Sequence, residues 1–307
     1  MWDCRIMFPH QKIWSKSRIN LLQRCQRAFV LRYGLAKLSQ HHPQGQLLSQ
    51  SFDIQSPWIL LHQVIRDILL DYAEDYVIGH VWSEGLMKAR FREDFSQIIS
   101  HRNQLVERIN SYNIVSRSQF QRAHAEPHLV EMGIQICLSM LHHQTFRSFL
   151  KEGTIQRREP TTSIKKEQTR IYSSPDLIHK GKNGTTLIKM HLIGQLTSFD
   201  RQHQSSLLQL YGDEHSSVII FQLKRRLWHV HQSIPTNAQR SQAMQLVEMD
   251  IQRMEDAYTS IGKRNDLSKV PLADSYRSCM HCNVKFLCPS RHGLEHAKAE
   301  QRSLMCE

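Results

Sequence analysis

The chain has 307 residues, of which 40% are hydrophobic, enough for a sizeable core in one elaborated domain or two smaller ones. Forty Lys and Arg residues against 28 Asp and Glu give a formal net charge of +12, which favours a polyanionic partner such as nucleic acid. The same charge would also serve solubility or complement an acidic protein. No apolar run approaches the roughly 20 residues of a transmembrane helix, so the sequence predicts no membrane span.

The first half of the chain is predicted to be mostly helical. A serine start signal and helical apolar spacing predict a helix over 15–33, and a polar stretch predicts a loop over 36–56. Apolar residues at three- and four-residue intervals then predict long helical stretches over 57–78, 84–112 and 117–151. We therefore expect a large helical N-terminal part.

After Gly153 the pattern changes to shorter segments that favour strands. In chain order we expect a strand over 169–178, a turn over 180–184 and a second strand over 185–192. A helix over 202–212, two strands over 216–223 and 226–231, and a long helix over 236–261 follow. The first two strands form a predicted hairpin because a Gly-rich turn lies between them. The centre of the chain is therefore expected to be an α/β unit.

Four cysteines have the spacing of a metal site that is split between the two ends of the chain. Cys279, Cys282 and Cys288 form a C-x2-C-x5-C pattern, and Cys25 lies among basic residues in the N-terminal predicted helix. Four thiolates suit an iron–sulfur cluster or zinc. Disulfides or inert buried cysteines are the alternatives, but the first residues lack signal-peptide features, which favours a reducing cytoplasm.

This arrangement resembles the RecB-like branch of the PD-(D/E)XK nucleases. More narrowly, it is similar to the members with an iron–sulfur cluster, the AddB-type nuclease domain and the CRISPR-associated RecB-like nucleases. In that group one cysteine precedes the nuclease core and three follow it. The segment from Ser15 to Tyr33 also resembles the family's N-terminal motif, with Gln26 in place of the usual proline. The [4Fe-4S] ligands that the resemblance implies are Cys25, Cys279, Cys282 and Cys288.

The resemblance implies an α/β fold with four parts. A restriction-endonuclease-like core with a mixed sheet would occupy 153–262, after a helical region over 57–152. Residues 1–56 would hold the first cysteine, and 263–307 would hold the other three and the tail.

The resemblance also implies a site where acidic groups hold Mg²⁺ or Mn²⁺ beside the scissile phosphate and a lysine orients the attacking water. His62 matches the helix histidine of such sites, and Glu159 matches the acidic position before the hairpin. Asp176 follows Pro175 and matches the aspartate at the first core strand. Taken alone, a histidine on a helix is more often packed or solvated than a metal ligand.

Two departures from the family pattern argue against ordinary metal-dependent cleavage. Where acid-x-lysine is expected, the chain has Lys189 and His191, and a cation at the first position would repel Mg²⁺. The later glutamine–tyrosine motif keeps Tyr211 but has Leu207 in place of the glutamine. We therefore expect a vestigial or rearranged active site.

The sequence thus favours a catalytically degenerate nuclease fold that binds DNA, or acts as a scaffold, in a bacterial defence or DNA-processing complex with subunits such as a helicase or ATPase. Single strands or duplex ends are the expected DNA, because no sequence-reading motif is present. One alternative is an active nuclease in which His62, Glu159 and Asp176 hold one metal and His191 replaces the lysine. Another is a scaffold for an acidic protein. The expected phosphate contacts are Lys165, Lys166, Arg170, Lys180, Lys182, Lys189, Lys224, Arg225 and Arg226.

Overall fold

The computed structural model describes residues 12–36, 43–112, 120–261 and 267–271, and in the C-terminal segment 273, 275, 278–279, 282–284 and 288. Strand β1 (Lys12–Ser15) leads into helix α1 (Lys16–Arg24), and Ser15 caps this helix by accepting a hydrogen bond from the Arg18 N–H. Cys25 then has extended backbone angles, and helix α2 (Gln26–Val30) follows it and continues as a π-helical turn over Leu31–Leu35. The helix predicted over 15–33 is therefore interrupted at Cys25.

The loop predicted over 36–56 is wrong where the structure describes it. Helix α3 (Pro43–Asp53) occupies most of that range, while 37–42 lie outside the described residues. Leu47 and Leu48 are almost completely buried, and the Ser51 hydroxyl donates to the Leu47 carbonyl within the helix. Two adjacent leucines in a polar stretch were enough to anchor a helix to the core, because burial outweighs the weak helix preference of its neighbours.

Four helices form a layer on one face of the main sheet. They are α4 (Pro57–Val77), α5 (Glu84–Asn110), α6 (Pro127–Leu141) and α7 (Gln144–Lys151). The first two confirm the helices predicted over 57–78 and 84–112. The stretch predicted over 117–151 contains two helices, because the chain turns at His142 and His143, and its residues before 120 lie outside the described part. Cys137 is completely buried in this layer's core.

The main sheet is mixed and has five strands in the order β2-β5-β6-β7-β8. Their bounds are β2 (Thr154–Arg157), β5 (Leu177–Gly181), β6 (Gly184–His191), β7 (Ser217–Lys224) and β8 (Leu227–Ser233). All neighbours are antiparallel except β6 and β7, which are parallel. The parallel pair is joined by helix α8 (Ser198–Leu208), as a parallel connection requires a crossover. The chain thus has the α/β fold expected from the sequence.

Both faces of this sheet are buried. Ile188, Met190 and Phe221 pack against the helical layer, while Leu187 and Ile220 face the other side with Leu208 of α8. Alternation along β6 and β7 assigns successive residues to opposite faces. The hairpin expected around the Gly-rich turn is present as β5 and β6, with Leu177 opposite Ile188.

A second, three-stranded sheet has the order β1-β4-β3, with β3 (Ile164–Lys166) and β4 (Thr169–Tyr172). The strand predicted over 169–178 is therefore two strands of different sheets, separated at 173–176, where Pro175 cannot continue a ladder. Strand β1 runs parallel to β4, so the start of the described chain is paired with its centre. Three short strands, β1, β2 and β3, were missed from the sequence because each has only three or four residues.

The long helix α9 (Asn237–Thr259) closes the fold. It shares a second core with α1, α2 and residues of the C-terminal segment such as Val270 and Val284. Trp14 Nε1 donates to Asp250 at 3.0 Å, and Arg27 Nε donates to the Val270 carbonyl at 2.6 Å. These contacts hold the two ends of the described chain together. Among the described residues, no helix combines the length and the apolar character that crossing a bilayer would need.

Candidate functional site

Asp176 is the centre of the candidate site. It lies immediately before β5, where its backbone N–H donates to the Ile188 carbonyl at 2.8 Å. The side chain is completely buried. Oδ1 accepts from Lys189 Nζ and from Arg66 Nε, each at 2.9 Å, and Oδ2 accepts from the backbone N–H of Met190 at 2.7 Å. Both carboxylate oxygens are therefore bonded to protein groups away from solvent.

Two cations from different elements neutralise this buried carboxylate. Lys189 projects from β6, and its Nζ also donates to the Ser174 carbonyl at 2.9 Å. Arg66 reaches from α4, with Nη2 2.8 Å from Asp176 Oδ1. Burial alone would raise the pKa of Asp176, but the charges of Lys189 and Arg66 hold the pKa below its ordinary value. Two protein cations thus bond the same oxygen that a divalent metal ion would need.

His62 lies one helical turn before Arg66, on the same side of α4. It is 3% exposed, and its Nδ1 is 2.7 Å from the Trp58 carbonyl oxygen. Because a carbonyl can only accept, Nδ1 carries the proton and the neutral ring keeps its lone pair on Nε2. Burial lowers the pKa of His62 and so favours this neutral form. This tautomer suits a histidine that binds a metal through Nε2.

Glu159 and His191 are not among the groups that bond the Asp176 carboxylate. Glu159 is exposed between β2 and β3, and its backbone carbonyl, rather than its carboxylate, accepts a hydrogen bond from Ser174 Oγ at 3.2 Å. His191 follows Lys189 by two residues and therefore lies on the same face of β6. Burial, and then the nearby Lys189 charge, lower the pKa of His191. The imidazole is thus neutral at pH 7 beside a cation, unlike the lysine of the family pattern.

Tyr211 and the residues before it hold the fold together. The Tyr211 hydroxyl donates to the carbonyl oxygens of Thr162 and Ile171, at 3.1 and 3.3 Å, and so joins the turn after α8 to the small sheet. Leu207 is 1% exposed in the second core. The buried Gln209, two residues later, donates to backbone carbonyls of the following loop. These residues therefore serve packing and tertiary hydrogen bonding.

An open cleft of about 470 Å³ lies beside the site. Its walls come from the start of α1, the end of β4 and the segment leading to Asp176, and Lys189 and Ser174 form part of them. Lys16 and Arg18 add two further cations, although Lys16 Nζ is 3.3 Å from the Asp200 carboxylate. The lining is rich in hydroxyl groups and positive charge, which is the chemistry that a phosphate contacts.

The nine basic residues expected to contact DNA do not form a single cluster around the core. Lys165, Lys166 and Arg170 belong to the small sheet, and Lys180 and Lys182 lie at the β5–β6 turn. The strand registers place that turn at the end of the sheet opposite Asp176, about 17 Å away along β6. Lys189 is hydrogen-bonded to the Asp176 carboxylate. The remaining three, at the same end as Asp176, are Lys224, Arg225 and Arg226, in the exposed β7–β8 turn.

The four cysteines of the expected metal site lie within electrostatic range of one another. Burial raises the pKa of Cys25, Cys279 and Cys282, the last to about 11. The neighbouring thiols raise these pKa values further, including the effect of Cys288 on all three. Cys25 and Cys282 also pack against the second core. Residues distant in sequence are thus brought to one region.

At Cys25 the Ala28 N–H and the Arg27 guanidinium partly oppose the burial that raises the pKa of its thiol. Cys25 Sγ accepts from the Ala28 N–H at 3.4 Å, at the start of α2, where the helix dipole favours a thiolate. Arg27 Nη1 is 4.0 Å from Cys288 Sγ. No disulfide joins the described cysteines. No three His, Cys, Asp or Glu side chains of the described residues are arranged closely enough to hold a metal ion, yet four soft donors in one region fit a thiolate-bound group.

Arg66 is the functional residue that sequence reasoning missed. Its signal was its position one turn after His62 in α4, because residues four apart share a helix face. The sequence does not show that this face meets the start of β5. That contact depends on how α4 packs against the sheet.

Comparisons with known proteins leave the family open. No protein-family model matches the chain, and no curated protein matches it. A crystal structure of SSO0001 overlaps with 73% of this chain and 96% of that chain, at 10% sequence identity and a TM-score of 0.28. A likeness of that size carries no argument about the fold or function of this protein.

Proposed function

We propose that this protein is a catalytically degenerate PD-(D/E)XK nuclease fold that binds DNA without metal-dependent hydrolysis, as a subunit of a DNA-processing or defence complex. The observation that carries the proposal is the buried carboxylate of Asp176, which Lys189 and Arg66 neutralise. A divalent ion would have to displace two protein cations from the same oxygen. Losing metal binding in this way leaves the basic surface able to contact phosphates.

The sheet topology supports the nuclease-like part of the proposal. Three successive antiparallel strands, β2, β5 and β6, are followed by a helix and a parallel strand. Within this topology, β5, β6, α8 and β7 follow the strand–strand–helix–strand order on which the sequence resemblance rests. Asp176 lies immediately before β5 and Lys189 lies on β6, at the positions where the family that the sequence resembles has its acidic groups.

We further propose that Cys25, Cys279, Cys282 and Cys288 hold a [4Fe-4S] cluster, with zinc as the competing ion. The set offers four thiols that are within electrostatic range of one another, beside Arg27 and a helix start. When bound, the cluster would connect the two ends of the described chain. Its role here is structural, because the cysteines adjoin the second core, whereas Asp176 borders the first.

The test of the DNA-binding function compares cleavage with binding on the same preparation. With Mg²⁺ or Mn²⁺, linear single- and double-stranded DNA should remain intact, while anisotropy should show binding that weakens steeply with salt. On single strands the log–log slope is expected to be about −0.7 per phosphate contact. Absence of binding at low salt would remove DNA from the proposal and favour the acidic-protein scaffold.

The neutral tautomer of His62 is the one observation that favours the alternative, an active nuclease with one metal. If that alternative holds, the wild-type protein cleaves DNA and Asp176→Ala abolishes cleavage. Such a result would overturn the proposal.

A repair series tests the reason for inactivity. Exchanging Lys189→Asp and His191→Lys restores the family's acid-x-lysine pattern, but Arg66 still bonds Asp176. We therefore expect Mn²⁺ binding, measured by electron paramagnetic resonance, only when Arg66→Gln is added to these two changes. Mn²⁺ binding by the two-residue variant would show that Arg66 is not the obstacle that its position implies.

A further inference from the structure

A surface groove of about 800 Å³ lies where the start of α4, helix α6 and the β7–β8 turn meet. Trp58, at the start of α4, is 47% exposed and lines the groove together with the apolar side chains of Leu129, Met132 and Ile136. A large aromatic ring left open to solvent beside an apolar floor is a platform on which a flat ring can stack.

The β7–β8 turn adds positive charge under backbone strain. Arg226 lines the groove, and Lys224 and Arg225 are exposed beside it. Arg225 and Arg226 have φ angles of 51° and 67°, the left-handed region in which two-residue hairpin turns favour Asn-Gly. Backbone strain in non-glycine residues is concentrated at functional sites. Arginines in these positions forgo the less strained Asn-Gly turn, and they place Arg226 in the groove lining with Arg225 next to it in the chain.

The groove is connected to the vestigial site through α4. Trp58, His62 and Arg66 follow one another at four-residue intervals and therefore share a helix face. The rings of Trp58 and His62 meet edge to face, with centroids 4.5 Å apart, and Arg66 bonds Asp176. Eight residues of helix correspond to about 12 Å. The groove and the buried carboxylate are thus neighbouring parts of one end of the sheet.

We propose that this groove binds a base of single-stranded DNA, stacked on Trp58, while Arg225 and Arg226 contact the flanking phosphates. The proposal rests on the DNA-binding function proposed above, and it names the strand type and the subsite. Aromatic stacking flanked by cations is how single strands are bound without sequence preference. Duplex bases are already stacked on one another and cannot enter. The acidic Glu131 of the groove is hydrogen-bonded to Gln135 at 2.7 Å.

The first experiment measures the affinity of a fluorescein-labelled oligo(dT) by anisotropy, with a duplex of equal length for comparison. Trp58→Ala should weaken oligo(dT) binding by about fivefold or more, because stacking contributes at least about 1 kcal/mol per base. Trp58→Phe should restore most of the affinity. Ile59→Ala is the matched control, because Ile59 follows Trp58 directly and its side chain is 40% exposed. It should leave the affinity unchanged, and the duplex should respond little to any of the three.

The second experiment separates the turn's charge from its strain. Replacing Arg225→Asn and Arg226→Gly removes two cations and supplies the residues that this turn favours. We expect the melting temperature to rise while oligo(dT) binding weakens and its log–log salt slope falls by about 1.4, for two phosphate contacts. A turn with a purely structural role would give the higher melting temperature with unchanged binding, which would overturn the proposal.

The outcomes distinguish this subsite from the broader function. If the wild type binds oligo(dT) but Trp58→Ala binds equally well, the subsite is wrong and the DNA-binding function stands. Equal weakening of single-stranded and duplex binding would overturn the strand preference. If the wild type binds no DNA, both proposals fail, and the groove is left to a protein partner.

Discussion

Replacing Asp176 with asparagine is the most direct test of the neutralised carboxylate. The change preserves the size of the side chain but leaves Lys189 without its counter-charge, and leaves Arg66 with only the Asp67 carboxylate, 3.7 Å from Nη1. It also places an amide N–H against a donor, either the Met190 N–H or one of the cations, because both oxygens of Asp176 accept hydrogen bonds. The expected result is a large loss of folding free energy.

The magnitude follows from the burial of the three groups. Removing one partner of a buried ion pair costs about 3–5 kcal/mol, and the side chains of Lys189 and Arg66 are 22% and 17% exposed. Partial solvation of the stranded cations places the expected loss near the lower end, about 3 kcal/mol. Lys189→Met should cost less, about 1–2 kcal/mol, because Arg66 still neutralises the carboxylate.

Urea unfolding at pH 7 measures both losses, with two spectroscopic probes to check for a two-state transition. In the combined variant the losses should be less than additive, by at least about 1 kcal/mol, because the two side chains contact each other. A loss below about 1 kcal/mol for Asp176→Asn would refute a buried, ionised Asp176 held by two cations.

The pH dependence gives a second check of the same site. The folded-state pKa of Asp176 is lowered, because Lys189 and Arg66 outweigh burial. The carboxylate therefore contributes its full stability above the ordinary carboxyl range and loses it as the pH falls through the lowered pKa. The stability gap between wild type and Asp176→Asn should be constant from about pH 5 to 7 and should shrink below about pH 4. A gap that persists at low pH would contradict this.

Two further predictions concern the proposed cluster cysteines and the helical layer. Cys25→Ser keeps an oxygen that can cap α2 but removes a thiolate, so anaerobically purified protein should lose its iron and sulfide and melt at a lower temperature. The control Cys137→Ala should keep the iron and the sulfide. Unchanged iron in Cys25→Ser would exclude Cys25 as a ligand. Gly133→Ala should cost about 1–3 kcal/mol by urea unfolding, because an added Cβ would meet Phe91 and lie 2.9 Å from Leu61 Cδ1. Gly85→Ala meets nothing nearer than 3.7 Å and should stabilise by up to about 1 kcal/mol; equal effects would contradict this packing.

The long periodic elements were predictable from the sequence. Helices α4 and α5 fall within a residue or two of the predicted ranges, because a helix of 20 residues or more repeats its apolar spacing many times. The β5–β6 hairpin was predictable because glycines flank its turn. The helix over 15–33 was predicted as continuous, since nothing in the sequence around Cys25 shows that its backbone is extended.

The short strands and the long-range contacts were not predictable from the sequence. Strand β1 contains Lys12 and Trp14, and its pairing with β4 depends on residues more than 150 positions later. The sequence identified Lys189 as a departure from the family pattern, and its incompatibility with ordinary metal binding stays a prediction, but Arg66 appears in no motif. Its role follows from the packing of α4 on the sheet, which is a long-range property that local patterns do not contain.

The bond between Trp14 and Asp250 spans 236 positions in the chain, and this has a consequence for biosynthesis. At about 5–20 residues per second, a ribosome needs roughly 10 to 50 s to make the second partner after the first. During that interval the apolar side chains of Trp14, Ile19 and Phe29 have been synthesised while much of the core that covers them has not. The second core cannot be completed until α9 and Val284 have been synthesised, so the nascent chain is a natural client for chaperones that bind exposed apolar segments.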